Sequence, residues 1–276
     1  MQQILIPTDF SDNAWNATIY ALQFFKTQNI TFHFLHIDIS LQVDDELHYN
    51  GVFTKKEISK EKTANMVDWM HKINIHYPNP NHKFRFSIRP GLFIACFRNY
   101  VTKENIDLIV MGTKGASGLK EMTIGSKTGA VIKRIKCPNL VIPEEAQFTK
   151  PLNIGFPTDF NMFYKQRIIR TLLEIANTYQ SSIKVLRVAQ NEKPMDKVQK
   201  TNRKHLIQYL HEISHSFHVI DNPILESALQ SFVNSMHIDM VAMIAKNLNF
   251  FQRLLFKPQV EQISYHMQIP FLVLHE

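Results

Sequence analysis

Ile4-Leu5-Ile6-Pro7-Thr8-Asp9-Phe10 returns 150 residues later as Ile154-Gly155-Phe156-Pro157-Thr158-Asp159-Phe160. Further along, Ile106-Asp107-Leu108-Ile109-Val110-Met111 returns as Ile238-Asp239-Met240-Val241-Ala242-Met243 at an offset of 132. At the same offset, Cys137-Pro138-Asn139-Leu140-Val141-Ile142 falls on Ile269-Pro270-Phe271-Leu272-Val273-Leu274. Two matched ends define an internal repeat, and such a repeat governs the whole architecture. The second copy is 18 residues shorter, with the loss between its second and third strands. A polar link bounded by Pro143 and Pro151 suits a boundary, which divides the chain into residues 1–146 and 147–276.

Outward from that repeat, apolar runs alternate with helix-period segments. Ile4–Ile6 reads as a strand buried on both faces. Ser11 or Asp12 then offers an N-cap for a helix with Ala14, Ala17, Ala21, Leu22 and Phe25 on one side. Strands are expected over Thr31–Ile37, Lys83–Ile88, Leu108–Met111 and Asn139–Ile142. Helices are expected over Glu57–His76, Leu92–Lys103 and Thr128–Ile135. Strand-helix alternation predicts an α/β protein: two tandem, doubly wound (Rossmann-like) domains, each a five-stranded, mostly parallel sheet with helices on both faces.

Composition excludes several classes. The 276 residues are 45% hydrophobic and 20% charged, ordinary for a globular protein. No stretch approaches the roughly 18 apolar residues of a membrane span, and the N-terminus reads as a core strand without a leader, so a cytoplasmic protein is expected. Cys96 and Cys137 cannot make a disulfide framework and read as small buried hydrophobes. The net charge of +7 is shared between the halves: 17 Lys+Arg against 14 Asp+Glu in residues 1–146, and 14 against 10 thereafter. Neither half is a basic module for nucleic acid. Lys114, Lys120, Lys127, Lys133, Arg134 and Lys136 nevertheless cluster around a glycine-rich loop, which suits a small anionic ligand.

In open α/β sheets, ligands bind beyond the carboxyl ends of the strands, at the switch point. Pro7-Thr8-Asp9 projects there, and so does the loop opened by Gly112, Gly115 and Gly118, which runs on to Gly125-Ser126-Lys127-Thr128 before a helix. Glycines permit positive φ and close approach of amides to a ligand. A helix start presents free amides to an anion, and the hydroxyls of Ser126 and Thr128 are placed to cap the helix or meet phosphate oxygens. Asp9 suits a ribose or base, so a nucleotide uses both ends of the site. The spacing is neither a Walker loop nor a dinucleotide fingerprint.

Pro7-Thr8-Asp9, the Met111-Gly112-x2-Gly115-x9-Gly125-Ser126 loop and the Cys-Pro-x-Leu-Val-Ile-Pro terminus resemble the universal stress protein family. The resemblance implies ATP as ligand. Pro7, Thr8 and Asp9 would line its adenine and ribose side, and Ile37 would touch adenine. Met111, Gly112, Gly115, Gly125, Ser126, Lys127 and Thr128 would surround ribose and phosphates, with Mg²⁺ held by the phosphates and Ser126. It also implies pairing through the last strands, Leu140–Ile142 with Leu272–Leu274 in one chain as a pseudo-dimer. Pairing of whole chains and an unidentified protein partner stay open. In the second copy, the Gly112, Gly115, Gly125 and Ser126 positions become Ile244, Asn247, Lys257 and Pro258. One ATP per chain follows, with the apolar Leu248–Phe256 segment filling the vacated site or serving association. Three roles are carried forward: a regulatory nucleotide-binding module, a slow ATPase or other ATP-using enzyme, and a nucleotide-free scaffold. His211-Glu212-Ile213-Ser214-His215 matches the zinc-peptidase signature and would set both His on one helical face, but it falls on the helix just before the third strand of the second copy, far from the ligand end, and zinc is not expected there.

Overall fold

The computed structural model of the protein describes residues 1–39, 60–113, 125–189, 194–222, 225–245 and 269–275. The first unit comprises β1 (Gln2–Pro7), α1 (Asp12–Phe24), β2 (Ile30–Asp38), α2 (Lys60–His76), β3 (His82–Pro90), α3 (Phe93–Lys103), β4 (Leu108–Gly112) and α4 (Ser126–Arg134). Its strands are ordered β3-β2-β1-β4. All three pairings are parallel. β1 is sandwiched between neighbours and between helix layers, and Ile4, Leu5 and Ile6 are each 0% exposed. That is why this strand reads as an unbroken apolar run.

Local chemistry sets the helix starts. Ser11 caps α1, its Oγ accepting from the Ala14 amide at 3.3 Å, and Asp12 lies in the first turn. The residues expected on the inner face of α1, from Ala14 to Phe25, are all buried. Gly91 takes φ +123 and donates its amide to the Asp38 carbonyl at 3.1 Å, tying the start of α3 to the end of β2. Only glycine tolerates that backbone without strain.

The second unit comprises β5 (Asn139–Ile142), β6 (Asn153–Pro157), α5 (Gln166–Tyr179), β7 (Ser182–Ala189), α6 (Lys197–Leu210), β8 (His215–Asp221), α7 (Leu225–Ser235), β9 (Met240–Ile244) and β10 (Phe271–Leu274). Its strand order is β5-β10-β9-β6-β7-β8, parallel except where β5 runs antiparallel to β10. In that pairing Leu140 faces Leu272 and Val141 faces Phe271. The last strands of the two repeats therefore meet as expected. Packing thereby divides the chain between residues 137 and 138, whereas the repeat itself divides it after residue 146, because β5 finds its described partner in β10.

The repeat persists at the level of single hydrogen bonds. Gln3 N and Asp107 Oδ2 are 2.8 Å apart, and so are Asn153 N and Asp239 Oδ2. Thr8 N donates to Leu35 O at 2.9 Å and Thr158 N to Leu186 O at 2.8 Å. Asn105 and His237 close α3 and α7 with the same left-handed φ of 49°. These matches explain why short stretches survive in both copies: each carries a backbone bond that fixes strand register.

Cys137 is 2% exposed, but Cys96 is only half-buried, contrary to the expectation for both, because its Sγ turns back to the Pro90 carbonyl at 3.3 Å. No helix among the described residues is long and apolar enough to cross a membrane.

Candidate functional site

The carboxyl end of β1 turns sharply. Thr8 Oγ1 accepts from the Phe10 amide at 3.0 Å, and Phe10 adopts φ 63, a left-handed backbone costly for a bulky residue. Phe10 stacks on His36 at 4.8 Å between ring centroids. Its edge also meets Trp69 at 5.9 Å. His36 Nδ1 donates to the Thr8 carbonyl at 2.9 Å, and burial lowers the His36 pKa, so the ring is neutral at pH 7 with its proton on Nδ1. Asp9 Oδ1 accepts from the Ser11 hydroxyl at 2.6 Å and from the Ser11 amide at 3.2 Å. One side of the site is thus an acidic turn with its carboxylate oriented by the α1 cap.

The other side is where β4 gives way to α4. Gly125 is the N-cap, with φ −54 and no side-chain cap. The first turn of α4 opens with Ser126, Lys127 and Thr128, whose amides have no intrahelical acceptor by the geometry of a helix start. Thr128 is buried, and its hydroxyl donates to the Gly112 carbonyl at 2.8 Å, so it fastens α4 to β4 rather than aiming a proton at a ligand. Ser126 is exposed and is the first helical residue rather than the cap. Neither Gly112 nor Gly125 has positive φ, which corrects the conformational reason expected for them. Gly112 is required by space: a Cβ there would lie 2.7–2.8 Å from Oδ1, Cγ and Nδ2 of Asn13.

Between these two sides lies a cavity of about 420 Å³. Pro7, Thr8, Asp9, Ile37, Met111, Gly112, Gly125, Ser126, Lys127 and Thr128 all line it, so the structure assembles these expected site residues around one space. Gly115 lies outside the described residues. Ala14, Leu35, His36 and Phe93 also line the cavity and were not among the expected set. His36 is adjacent to Ile37 in sequence, and Phe93 follows the Pro90-Gly91 break, so a faint signal existed for both. Among the described lining residues Asp9 is the one carboxylate and Lys127 the one cation.

The second unit repeats the turn and sets bulkier side chains at two matching positions. Thr158 Oγ1 accepts from the Phe160 amide at 3.1 Å with Phe160 at φ 57. Asp159 Oδ1 accepts from the Asn161 amide at 2.9 Å. Tyr164 stands ten residues beyond Ile154, as Ala14 stands beyond Ile4. It is 0% exposed, and its hydroxyl bonds to Thr158 Oγ1, the counterpart of the cavity-lining Thr8. β9 ends in Ile244, 3% exposed, where β4 ends in Gly112. Two bulky side chains replace Ala14 and Gly112. The remaining second-copy positions, Asn247, Lys257, Pro258 and the Leu248–Phe256 segment, lie outside the described residues.

The His-Glu-x-x-His motif is not helical, which corrects its expected placement. α6 ends at Leu210, His211 lies at its C-cap, and His215 opens β8. His211 Nδ1 bonds to the Gln208 carbonyl and His215 Nδ1 to that of Ile213, both at 2.8 Å. A helix end between them removes the shared face that the zinc signature needs.

Comparison with known proteins finds likenesses to one family. The model of the universal stress protein family matches residues 97–143, from within α3 through β4 and α4 to β5. The chain is 29% identical over 143 residues to universal stress protein MJ0531 of Methanocaldococcus jannaschii, covering 51% of this chain and 81% of that protein. It is 26% identical over 159 residues to universal stress protein MJ0577 of the same organism, covering 51% and 94%. A crystal structure of a universal stress protein from Archaeoglobus fulgidus aligns over 98% of this chain and 97% of its own, with TM-score 0.69 and 16% identity, a likeness of fold.

Proposed function

We propose that the chain is a universal stress protein whose N-terminal unit is a regulatory nucleotide-binding module that takes one ATP per chain. The observation that carries this reading is the cavity at the β1–β4 switch point, acidic at one end and bounded by a helix N-terminus at the other. Its volume of about 420 Å³ suits a ligand of nucleotide size. Asp9 would accept from ribose hydroxyls, Ile37 would touch the base, Met111 would lie beside the ribose, and the α4 amides with Ser126 and Lys127 would hold phosphates. Mg²⁺, if carried, would ride on the phosphates and the Ser126 hydroxyl.

The chemistry of the lining favours binding over turnover. Among the described lining residues Asp9 is the one carboxylate, so no acidic pair stands ready to hold a metal for phosphate transfer. One ligand per chain is supported by Tyr164 and Ile244, which take up the corresponding space in the second unit.

Denaturing the purified protein and assaying released small molecules tests this directly. ATP or ADP near one per chain is the expected result, together with saturable ATP binding by calorimetry at one site. Ser126→Asp, which sets a negative charge at the helix start on an exposed position, should abolish retention without shifting the unfolding midpoint. Equal retention by this variant would move the phosphates elsewhere. Release of nothing, with no calorimetric signal, would leave a scaffold.

A further inference from the structure

One wall of the cavity comes from a residue outside the phosphate and strand-end motifs. Phe93 is the first residue of α3, and its ring packs against the core cluster that contains Ile37 and Met111. Three features hold it at the cavity. Gly91 turns the chain with φ +123, the Gly91 amide binds Asp38 O next to Ile37, and Phe97 supports the ring from 5.5 Å. Lys127 Nζ lies 5.7 Å from the Phe93 centroid. That distance is near the outer limit of about 6 Å for cation–π attraction, so the contact is weak and easily displaced.

We propose that the Phe93 ring is the stacking face for the base, and that a base covering it releases Lys127 toward the phosphates. The inference rests on the nucleotide reading above and adds to it a specificity-determining side chain. An aromatic face half-exposed in a cavity offers a heterocycle more than an ammonium at the edge of its range, because stacking combines apolar burial with matched π surfaces. Lys127 is the second residue of α4, so once displaced its ammonium stands beside the first-turn amides, where an anion is already favoured. Base recognition and phosphate recognition are thereby linked through one ring.

Calorimetric titration of adenosine and of ATP into wild type, Phe93→Leu and Phe93→Trp tests the proposal. Phe93→Leu keeps an apolar side chain and removes the π face. It should weaken both ligands at least about fivefold, the low end expected for a lost base–aromatic stack. The ATP-to-adenosine affinity ratio should stay within about twofold, because the shared base carries the loss. Phe93→Trp should bind both ligands within about twofold of wild type or tighter. Circular dichroism melting within about 3 °C of wild type shows that neither effect is unfolding. Wild-type adenosine affinity in Phe93→Leu would overturn the proposal, and so would an equal loss in Phe93→Trp, which would make Phe93 a packing residue. Failure of wild type itself to bind either ligand would instead remove the nucleotide reading, and this inference with it.

Discussion

Gly112→Ala separates two explanations of the glycine at the end of β4. If the residue serves only to admit a ligand, alanine should leave the free protein as stable as before. The structure predicts otherwise. The new Cβ would stand 2.7–2.8 Å from three side-chain atoms of Asn13, a residue 6% exposed in the first turn of α1. Ordinary carbon contacts lie at about 3.5–4.0 Å, so the overlap is roughly 1 Å against the end of the Asn13 side chain, which is buried and can turn aside only by disturbing its close-packed surroundings. Overpacking of this kind costs about 1–3 kcal/mol, while loss of glycine entropy from the unfolded chain returns about 0.4–1 kcal/mol. The net expectation is a loss of about 1–2 kcal/mol. Both tryptophans, Trp15 and Trp69, lie in the first unit, so their fluorescence during urea unfolding reports that unit alone. With a urea dependence of about 2 kcal/mol per molar, the midpoint should fall by roughly 0.5–1 M. Adding Asn13→Ala should recover about 1 kcal/mol relative to the sum of the single changes, since the colliding atoms are gone. An unshifted midpoint, or additive single effects, would refute the reasoning.

Acidification should destabilise the first unit. Burial lowers the pKa of His33, His36 and His82, so the unfolded chain binds protons that the folded chain refuses. Stability is then fully present above the ordinary imidazole pKa of about 6.5 and declines as pH falls below it, which urea midpoints at pH 7.5 and 5.5 would read as a drop. Ser11→Ala removes both the α1 cap and a donor to Asp9; a loss of about 0.5–2 kcal/mol in the same assay is expected, with weaker ATP binding as Asp9 loses its orientation. In the second unit, Tyr164→Ala should cost about 3–5 kcal/mol as a core truncation, lowering the temperature at which that unit's circular dichroism signal melts. Cys137, whose thiol burial pushes up to about 12, should resist a thiol reagent at pH 8 until urea unfolds the chain.

The sequence by itself determined the repeat, the order of strands and helices, and the two chain segments that flank the site. Each of these is written locally: an apolar run marks a strand, a serine before an alanine-rich stretch marks a cap, and a stretch that returns at a fixed offset marks the second copy. The pairing of β5 with β10 was expected from family likeness, and the packed strands realise it. Tertiary structure alone decided what occupies space. Asn13 and Gly112 are 99 positions apart, and nothing near either foretells that the glycine yields to an amide. Phe93 enters the cavity because Gly91 bends the chain against Asp38, and Tyr164 fills the second unit because it folds back onto Thr158. Periodicity follows from the neighbours of a residue along the chain, whereas volume is shared by residues that only folding brings together, and the chemistry of this site depends on that shared volume.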